Sequence, residues 1–257
     1  MRPVDHEQGE RTVASAVRIG CAGWSIPGRY ADRFGEGASA LQRYATRLTV
    51  AEINSSFHRP HQPATYARWA AAVPPDFRFS VKVPKLISHE LALRGVGAAL
   101  DRFLGEALHL GPKLGGLLLQ LPPALSYDAR VASTFFAMLR WRTALPVAFE
   151  PRHPDWFLPE ADALLQRHDI SRVGVDPPRA PTGAVPAGSP AWAYWRWHGS
   201  PRIYYSAYSE ATLQQRVDSL RARAAAGTPC WVIFDNTAHG FAIDNALQLQ
   251  DMLGRTP

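Results

Sequence analysis

Residues Trp192–His198 read WAYWRWH, and the way this run alternates decides the fold. Side chains of an extended strand point to opposite faces in turn, so Tyr194, Arg196 and His198 share one face while Trp195 and Trp197 share the other. Outward from it, short apolar or alternating runs recur at Val17–Cys21, Thr49–Asn54, Phe77–Val83, Gly116–Leu121, Pro146–Glu150, Ser171–Asp176 and Cys230–Asp235. Between most of them lie stretches with helical periodicity or strong helix formers: Leu41–Leu48, Pro63–Ala72, Val96–Leu110, Ala129–Leu139, Glu160–His168, Thr212–Ala226 and Asp244–Leu253. Strands alternating with helices predict parallel β-α-β units. Eight such strands with no domain break predict a single α/β domain over residues 17–257, a (β/α)8 TIM-type barrel in preference to an open doubly wound sheet. The sixth connection departs from the pattern: PPRAPTGAVPAGSP after Asp176 cannot form a helix, so a Pro-rich loop is expected in its place.

Composition agrees with one packed domain, since 46% of the 257 residues are apolar. The formal charge of +6 rests almost wholly on arginine, because lysine occurs only at Lys82, Lys85 and Lys113. A basic chain attracts polyanions, yet no dense Arg/Lys run of the kind a nucleic-acid arm carries is present. Cys21 and Cys230 fall at opposite ends of neighbouring strands, beyond disulfide reach, and read as small buried hydrophobes of a protein in a reducing compartment. The first sixteen residues, MRPVDHEQGERTVASA, lack an apolar signal-peptide core and read as a disordered tail. No apolar stretch is long enough to span a bilayer, so a cytoplasmic location without membrane contact is expected.

Strand parity nominates the functional residues. Val50, Glu52 and Asn54 share a face of the second strand, Arg78, Ser80 and Lys82 of the third, and Glu150 and Arg152 of the fifth. Gln120 ends the fourth strand, Asp176 the sixth, and Asp235 with Asn236 the eighth. The expectation is that polar sets line the interior and apolar sets meet the helices. Charges then gather at the carboxyl ends of several strands, where barrel enzymes build their sites. Mutual neutralisation of Glu52, Glu150, Asp176 and Asp235 by Lys82, Arg152 and Arg196 is the structural alternative.

The phrases GCAGWS, VAEINSSFHR, FRFSVKVPKLISH, LGPKLGGLLLQLPP, VAFEPRHPDW, YWRWHGSPRIYYSAYS and VIFDNTAHGFAIDNA resemble the domain-of-unknown-function 72 family, the YecE-like proteins. The likeness runs from about Val17 to about Leu253. It implies a TIM-barrel-like fold and supplies no reaction. It also implies a tyrosine where this chain has His58 and a leucine where it has Trp197, the latter read as a packing change on the helix side.

The chemistry these residues suit best is proton transfer, with Glu150 and His198 as acid/base partners and Glu52 and Asp235 as further candidates. Lys82, Arg152 and Arg196 are expected to clamp an anion, which predicts a hydrolase, lyase or isomerase acting on a small anionic or phosphate-bearing molecule. Asn54, Asp176, Gln120, Trp24, Trp156, Tyr204 and Asn236 are expected to contact that substrate. A nucleic-acid partner is the first alternative, since Trp24, Tyr30, Phe57, His58, Trp156, Tyr204, Tyr205 and Tyr208 with Arg29, Arg59, Arg152 and Arg202 would suit stacking and phosphate contact. A ligand-binding barrel without turnover is the second. Glycoside hydrolysis, with a sugar held by Trp24 and Trp156, is a further enzyme option. No glycine-rich nucleotide loop follows any strand, so no cofactor is expected. His58 and His61, with His89, His153, His198 and His239 near strand ends, could bind metal, but the cations among the inward residues predict that none does. Pro122–Pro123 should end the fourth strand, and Asp244 should cap the last helix.

Overall fold

A computed structural model describes residues 17–254; the stretch 1–16, where a disordered tail is expected, lies outside the described residues, as does 255–257. Ten strands form one sheet: β1 (Val17–Ala22), β2 (Val50–Ile53), β3 (Arg78–Lys82), β4 (Leu114–Gln120), β5 (Val147–Glu150), β6 (Ser171–Arg172), β7 (Gly174–Asp176), β8 (Ala187–Gly188), β9 (Ala193–Trp197) and β10 (Cys230–Phe234). The strands lie in the order β7-β9-β10-β1-β2-β3-β4-β5-β6-β8. Val173 alone separates β6 from β7. The first of these pairs with β5 and the second with β9, so the two ends of the sheet meet and nearly close it into a barrel. All pairings are parallel except that of β6 with β8.

The α-helices are α1 (Ala40–Tyr44), α2 (Pro63–Ala71), α3 (Gly97–Ala107), α4 (Ala129–Arg142), α5 (Pro159–Arg167), α6 (Glu210–Ala225) and α7 (Phe241–Gly254). Their starts follow local chemistry. Asp128 accepts from the amides of Arg130 and Val131 at α4, Ser209 accepts from Thr212 at α6, and proline opens α2 and α5 where its missing N–H costs nothing. Asp244 does not cap α7. The helix begins at Phe241, which places Asp244 in its first turn, ion-paired to Arg33 at 2.6 Å. The Pro-rich connection is not featureless, since it holds a 3-10 turn at Pro181–Ala184 and the two-residue β8, and the Ser189 amide donates to Ile170 O at 2.9 Å.

Two hydrophobic cores result. The larger lies between the helices and the outer strand faces, built from residues such as Phe79, Phe136, Phe149, Trp197 and Leu247. The second lies inside the sheet and joins Val50, Leu118, Ala148, Val173, Val175, Trp192, Tyr194, Trp231 and Ile233. The interior is therefore not wholly polar, as parity alone would have it: Trp192 and Tyr194 precede Arg196 and His198, Trp231 and Ile233 precede Asp235, Val50 precedes Glu52, and Ala148 precedes Glu150. Glycine makes the plug possible. A Cβ on Gly115 would lie 2.4 Å from the Trp231 ring, and one on Gly116 would lie 2.8 Å from the Trp192 ring. The two indoles meet edge to face at 5.0 Å.

Cys21 aligns with Phe234 while Cys230 aligns with Val17, so the two thiols sit at opposite ends of paired strands, free and buried. Burial pushes the Cys21 thiol up to about 12 and the Cys230 thiol up to about 11. Trp197 does face the helix layer, packed on Phe234 and Tyr208 with the Arg216 guanidinium 4.7 Å over its ring.

Candidate functional site

Arg196 stands at the centre of the charged half. Its Nε donates to Glu52 Oε2 at 3.0 Å, Nη1 to Glu150 Oε2 at 2.6 Å, and Nη2 to Glu52 Oε1 at 2.8 Å and Asp235 Oδ2 at 2.9 Å. Three carboxylates from β2, β5 and the end of β10 thus converge on one guanidinium that is fully buried. Ionised groups survive burial only with such pairing. Below the cluster, Tyr194 donates its phenol proton to Glu52 Oε2 at 2.9 Å and meets Ser80 Oγ at 2.8 Å, joining the charges to the apolar plug. The anion clamp expected of Arg196 is not available to a ligand, because its donors are already turned inward to Glu52, Glu150 and Asp235.

His198 follows Arg196 by two residues and lies above it. Its Nδ1 is 3.0 Å from Asp235 Oδ2, and its Nε2 is 3.5 Å from Glu150 Oε1. The second contact is electrostatic, too long for a good hydrogen bond, and Nε2 is a buried atom without a hydrogen-bond partner. Burial alone would lower this imidazole, but the Glu150 charge and the Asp235 hydrogen bond outweigh it and raise it above its ordinary value. Burial likewise pushes the Glu150 carboxyl up, yet Arg196, then His198 and Arg152, hold it well below the usual carboxylate range. Asp235 is lowered in the same way, by Arg196 and His198 against its burial.

Arg152 rises from the residues beyond β5 and donates to Glu150 Oε1 from Nε at 3.1 Å and from Nη2 at 3.0 Å. It borders a narrow cleft lined by Glu150, Arg152, Val175, Arg179, His198 and Ile203, whose free volume of about 10 Å³ is room for one water. Tyr204, held at φ +71°, sets its ring 5.7 Å from His198 at the rim. Lys82 is nearly buried on the inward face of β3, with Nζ 4.3 Å over the Phe57 ring. Burial and then Arg196 lower its ammonium to about 8, against the carboxylates that would raise it. Gln120 pairs in register with Glu150 and shares the inward face. Among the described residues no three His, Cys, Asp or Glu side chains converge as a ligand set.

Several expected contacts fall elsewhere. Asp176 aligns with Trp197, not with Arg196, so Val175 takes the inward place and the Asp176 carboxylate pairs with Arg216 of α6 at 2.8 Å. Trp24 packs against Trp69 of α2 at 5.2 Å and against Phe79, in the helix layer. Trp156 is buried against Phe149 and donates its indole proton to Leu125 O at 3.0 Å. Neither indole is placed to hold a sugar at the mouth. Asn236 is a brace: its amide donates to Ser206 O at 3.0 Å and to Asn245 Oδ1 at 2.9 Å, tying the 199–208 loop to α7. Asn54 turns into a helical conformation after β2, and its Oδ1 is buried without a partner. Of the aromatics expected to stack bases, Tyr208 is buried while Tyr205 is exposed beneath Arg202 at 4.1 Å.

Sequence reasoning gave Tyr194 no role, passed over Arg179 and named His89 only as a possible metal ligand. Tyr194 carried only a parity signal, although a phenol between Arg196 and an inward glutamate row suggests a bridge. Arg179 sits in the Pro-rich connection, where no periodicity marks a direction. His89 lies in a π-helical turn, Leu86–Glu90. Burial lowers its imidazole first, then Lys82, Lys85 and Arg152.

The chain matches the family described as "Protein of unknown function DUF72" over residues 18–257. It is 29% identical over 164 residues to the UPF0759 protein YecE of Escherichia coli K12, a match covering 62% of this chain and 57% of that protein. With the UPF0759 protein YunF of Bacillus subtilis it shares 22% identity over 92% of this chain and 94% of the other. Its fold is similar to that of crystallised DUF72 family proteins from Enterococcus faecalis V583 (TM-score 0.77, 24% identity, covering 94% of this chain and 96% of the other) and Thermotoga maritima MSB8 (TM-score 0.75, 24% identity, 93% and 99%). On the family match across nearly its whole length, the chain belongs to the DUF72 family.

Proposed function

We propose that this protein is a metal-independent acid/base enzyme, of hydrolase, lyase or isomerase type, whose substrate is a small anionic or phosphate-bearing molecule. The observation that carries the reading is His198, held by Asp235 at 3.0 Å with Nε2 unpartnered in the wall of a cleft that Arg152 and Arg179 also line. Asp235 fixes the ring and, with Glu150, favours its protonated form, so Nε2–H is the proton donor and, once spent, the base. Glu150 stays ionised and positions both His198 and Arg152. Glu52, under Arg196, supports the cluster from inside and does not reach substrate. Arg152, with Lys82 behind it, supplies the charge that draws in an anion and repels a cation, and Arg152 offers a planar fork to carboxylate or phosphate. The finer architecture belongs to the same reading: β6 and β7 are one strand interrupted at Val173, the sheet is an eight-stranded β/α barrel, and the Pro-rich connection replaces its sixth helix. The cleft then opens at the carboxyl ends of the strands.

The test is proton exchange. Small oxo acids and phosphate esters are incubated in D2O with the full chain and a chelator, and proton spectra report loss of exchangeable C–H signal or turnover. The expected result is exchange with at least one anionic carbonyl compound, abolished in His198→Ala. Exchange that survives His198→Ala unchanged would remove His198 from the chemistry.

A further inference from the structure

A far roomier cleft than the one beside His198 lies between the segments that follow β1 and β10. Its volume is about 660 Å³, and its walls include Gly23, Ser25, Arg29, Thr237, His239 and Ile243. That is the size of a site for a small organic molecule. The fold sets its position. Cys21 aligns with Phe234, so the two segments leave the sheet side by side. They meet at Gly240, whose φ of +72° suits glycine and where a Cβ would run into the Pro27 ring. The two clefts share no lining residue. Tyr204 links them, its ring 5.7 Å from His198 and its carbonyl accepting from the Ala238 amide at 3.1 Å.

The cavity has a cation and no carboxylate in its walls. Arg29 is exposed there, and among the described residues it has no ion pair. Its guanidinium lies 4.7 Å over the Tyr30 ring and 5.5 Å over that of Phe241, while Nη2 donates to His239 O. Two rings and one carbonyl thus hold the fork in place and leave its other N–H groups to a ligand. The carboxylates nearby are committed: Asp244 to Arg33 at 2.6 Å, and Asp235 to Arg196 and His198. Ser25 on one wall and Thr237 on the other add hydroxyls that have no partner among the described residues.

We propose that this cavity binds a phosphate monoester of a small polyol, a sugar phosphate in kind, with Arg29 on the phosphate. A tetrahedral phosphate keeps an oxygen free beyond the two that an arginine fork engages, and the Ser25 and Thr237 hydroxyls are the donors for it and for the hydroxyls of the body. The site is separate from the His198 mouth and stands whether or not proton transfer occurs there.

Calorimetry on the full chain tests it. Glycerol 3-phosphate, ribose 5-phosphate and glucose 6-phosphate are titrated into wild type and into Arg152→Ala, which disables the other anion grip. The expected result is that at least one ester binds the Arg152→Ala chain and that ribose without its phosphate does not. Adding Arg29→Ala should weaken that binding about tenfold or more, with the thermal midpoint unchanged because the side chain is exposed. Thr237→Trp, which fills the space and leaves the charge, should weaken it as much. Failure of all three esters, equal binding of free ribose, binding that Arg152→Ala abolishes, or binding that survives Arg29→Ala or Thr237→Trp overturns the proposal. Deuterium exchange at His198 should be untouched by Arg29→Ala, which keeps the two readings separable.

Discussion

The two halves of the sheet's interior hold the same strands apart by opposite means. The amino-end half is a dry plug in which Trp192, Trp231, Val50, Leu118 and Ile233 interlock above two glycines, and removal from water stabilises it. The carboxyl-end half buries Glu52, Lys82, Glu150, Arg196, His198 and Asp235, and apart from Lys82, which has no ion pair among the described residues, each charge there is tolerated only through its partners. The lesson is a division of labour: stability comes from the plug, and the charged tier spends part of it to keep reactive groups desolvated.

That contrast breaks most visibly at Arg196. Arg196→Met leaves three buried carboxylates without their shared partner, and chemical denaturation should show a loss of about 5 kcal/mol or more. The loss should shrink as acid protonates the carboxylates. Trp231→Ala empties the plug and is expected to cost about 3–5 kcal/mol at every pH. An Arg196→Met variant as stable as wild type would mean that the upper tier is not a linked network.

Lys82→Met works in the other direction. Burial of a cation without an ion pair penalises the fold, so this variant should gain about 1–3 kcal/mol at neutral pH. The pH profile sharpens the point. Glu150 and Asp235 lie below their ordinary range, so their contribution is present above about pH 4 and is lost as pH falls through their folded values. His198 is raised, so its contribution is complete below its unfolded 6.5 and is lost as pH rises through the folded value. The Lys82 penalty holds below about 8 and is relieved as pH approaches 10.5, opposing the His198 loss. Removing Lys82 should therefore leave the alkaline decline unopposed and steeper in denaturation curves.

The smallest expected effect on stability is at Arg152. Glu150 keeps Arg196 when Arg152 is removed, so Arg152→Ala should change stability by less than about 1 kcal/mol while phosphate affinity falls about tenfold or more.

Much of this contrast could be read in the sequence. Period-two alternation placed Glu52, Ser80, Lys82, Glu150, Arg196 and Asp235 inward, because a pleated strand leaves no other choice. Where the backbone departs from regular strand, the reading failed. Period two from the inward Val173 and Val175 turns Asp176 to the helix layer, which its place at a strand end conceals, and Trp24 and Trp156 lie past strand ends, where parity carries no information. The plug went unseen because Trp192 and Trp231 stand on the same inward faces as Arg196 and Asp235, and the polar members alone were followed. The partners of Arg196 depend on three strands distant in sequence, which no local pattern encodes.

The most direct measurement is an NMR titration of the His198 imidazole in wild type and in Arg152→Ala, with and without phosphate. The account predicts a midpoint above 6.5, raised further by phosphate in wild type and not in Arg152→Ala. A His198 that titrates at or below its ordinary value, indifferent to phosphate, would contradict an anion-accepting acid/base mouth.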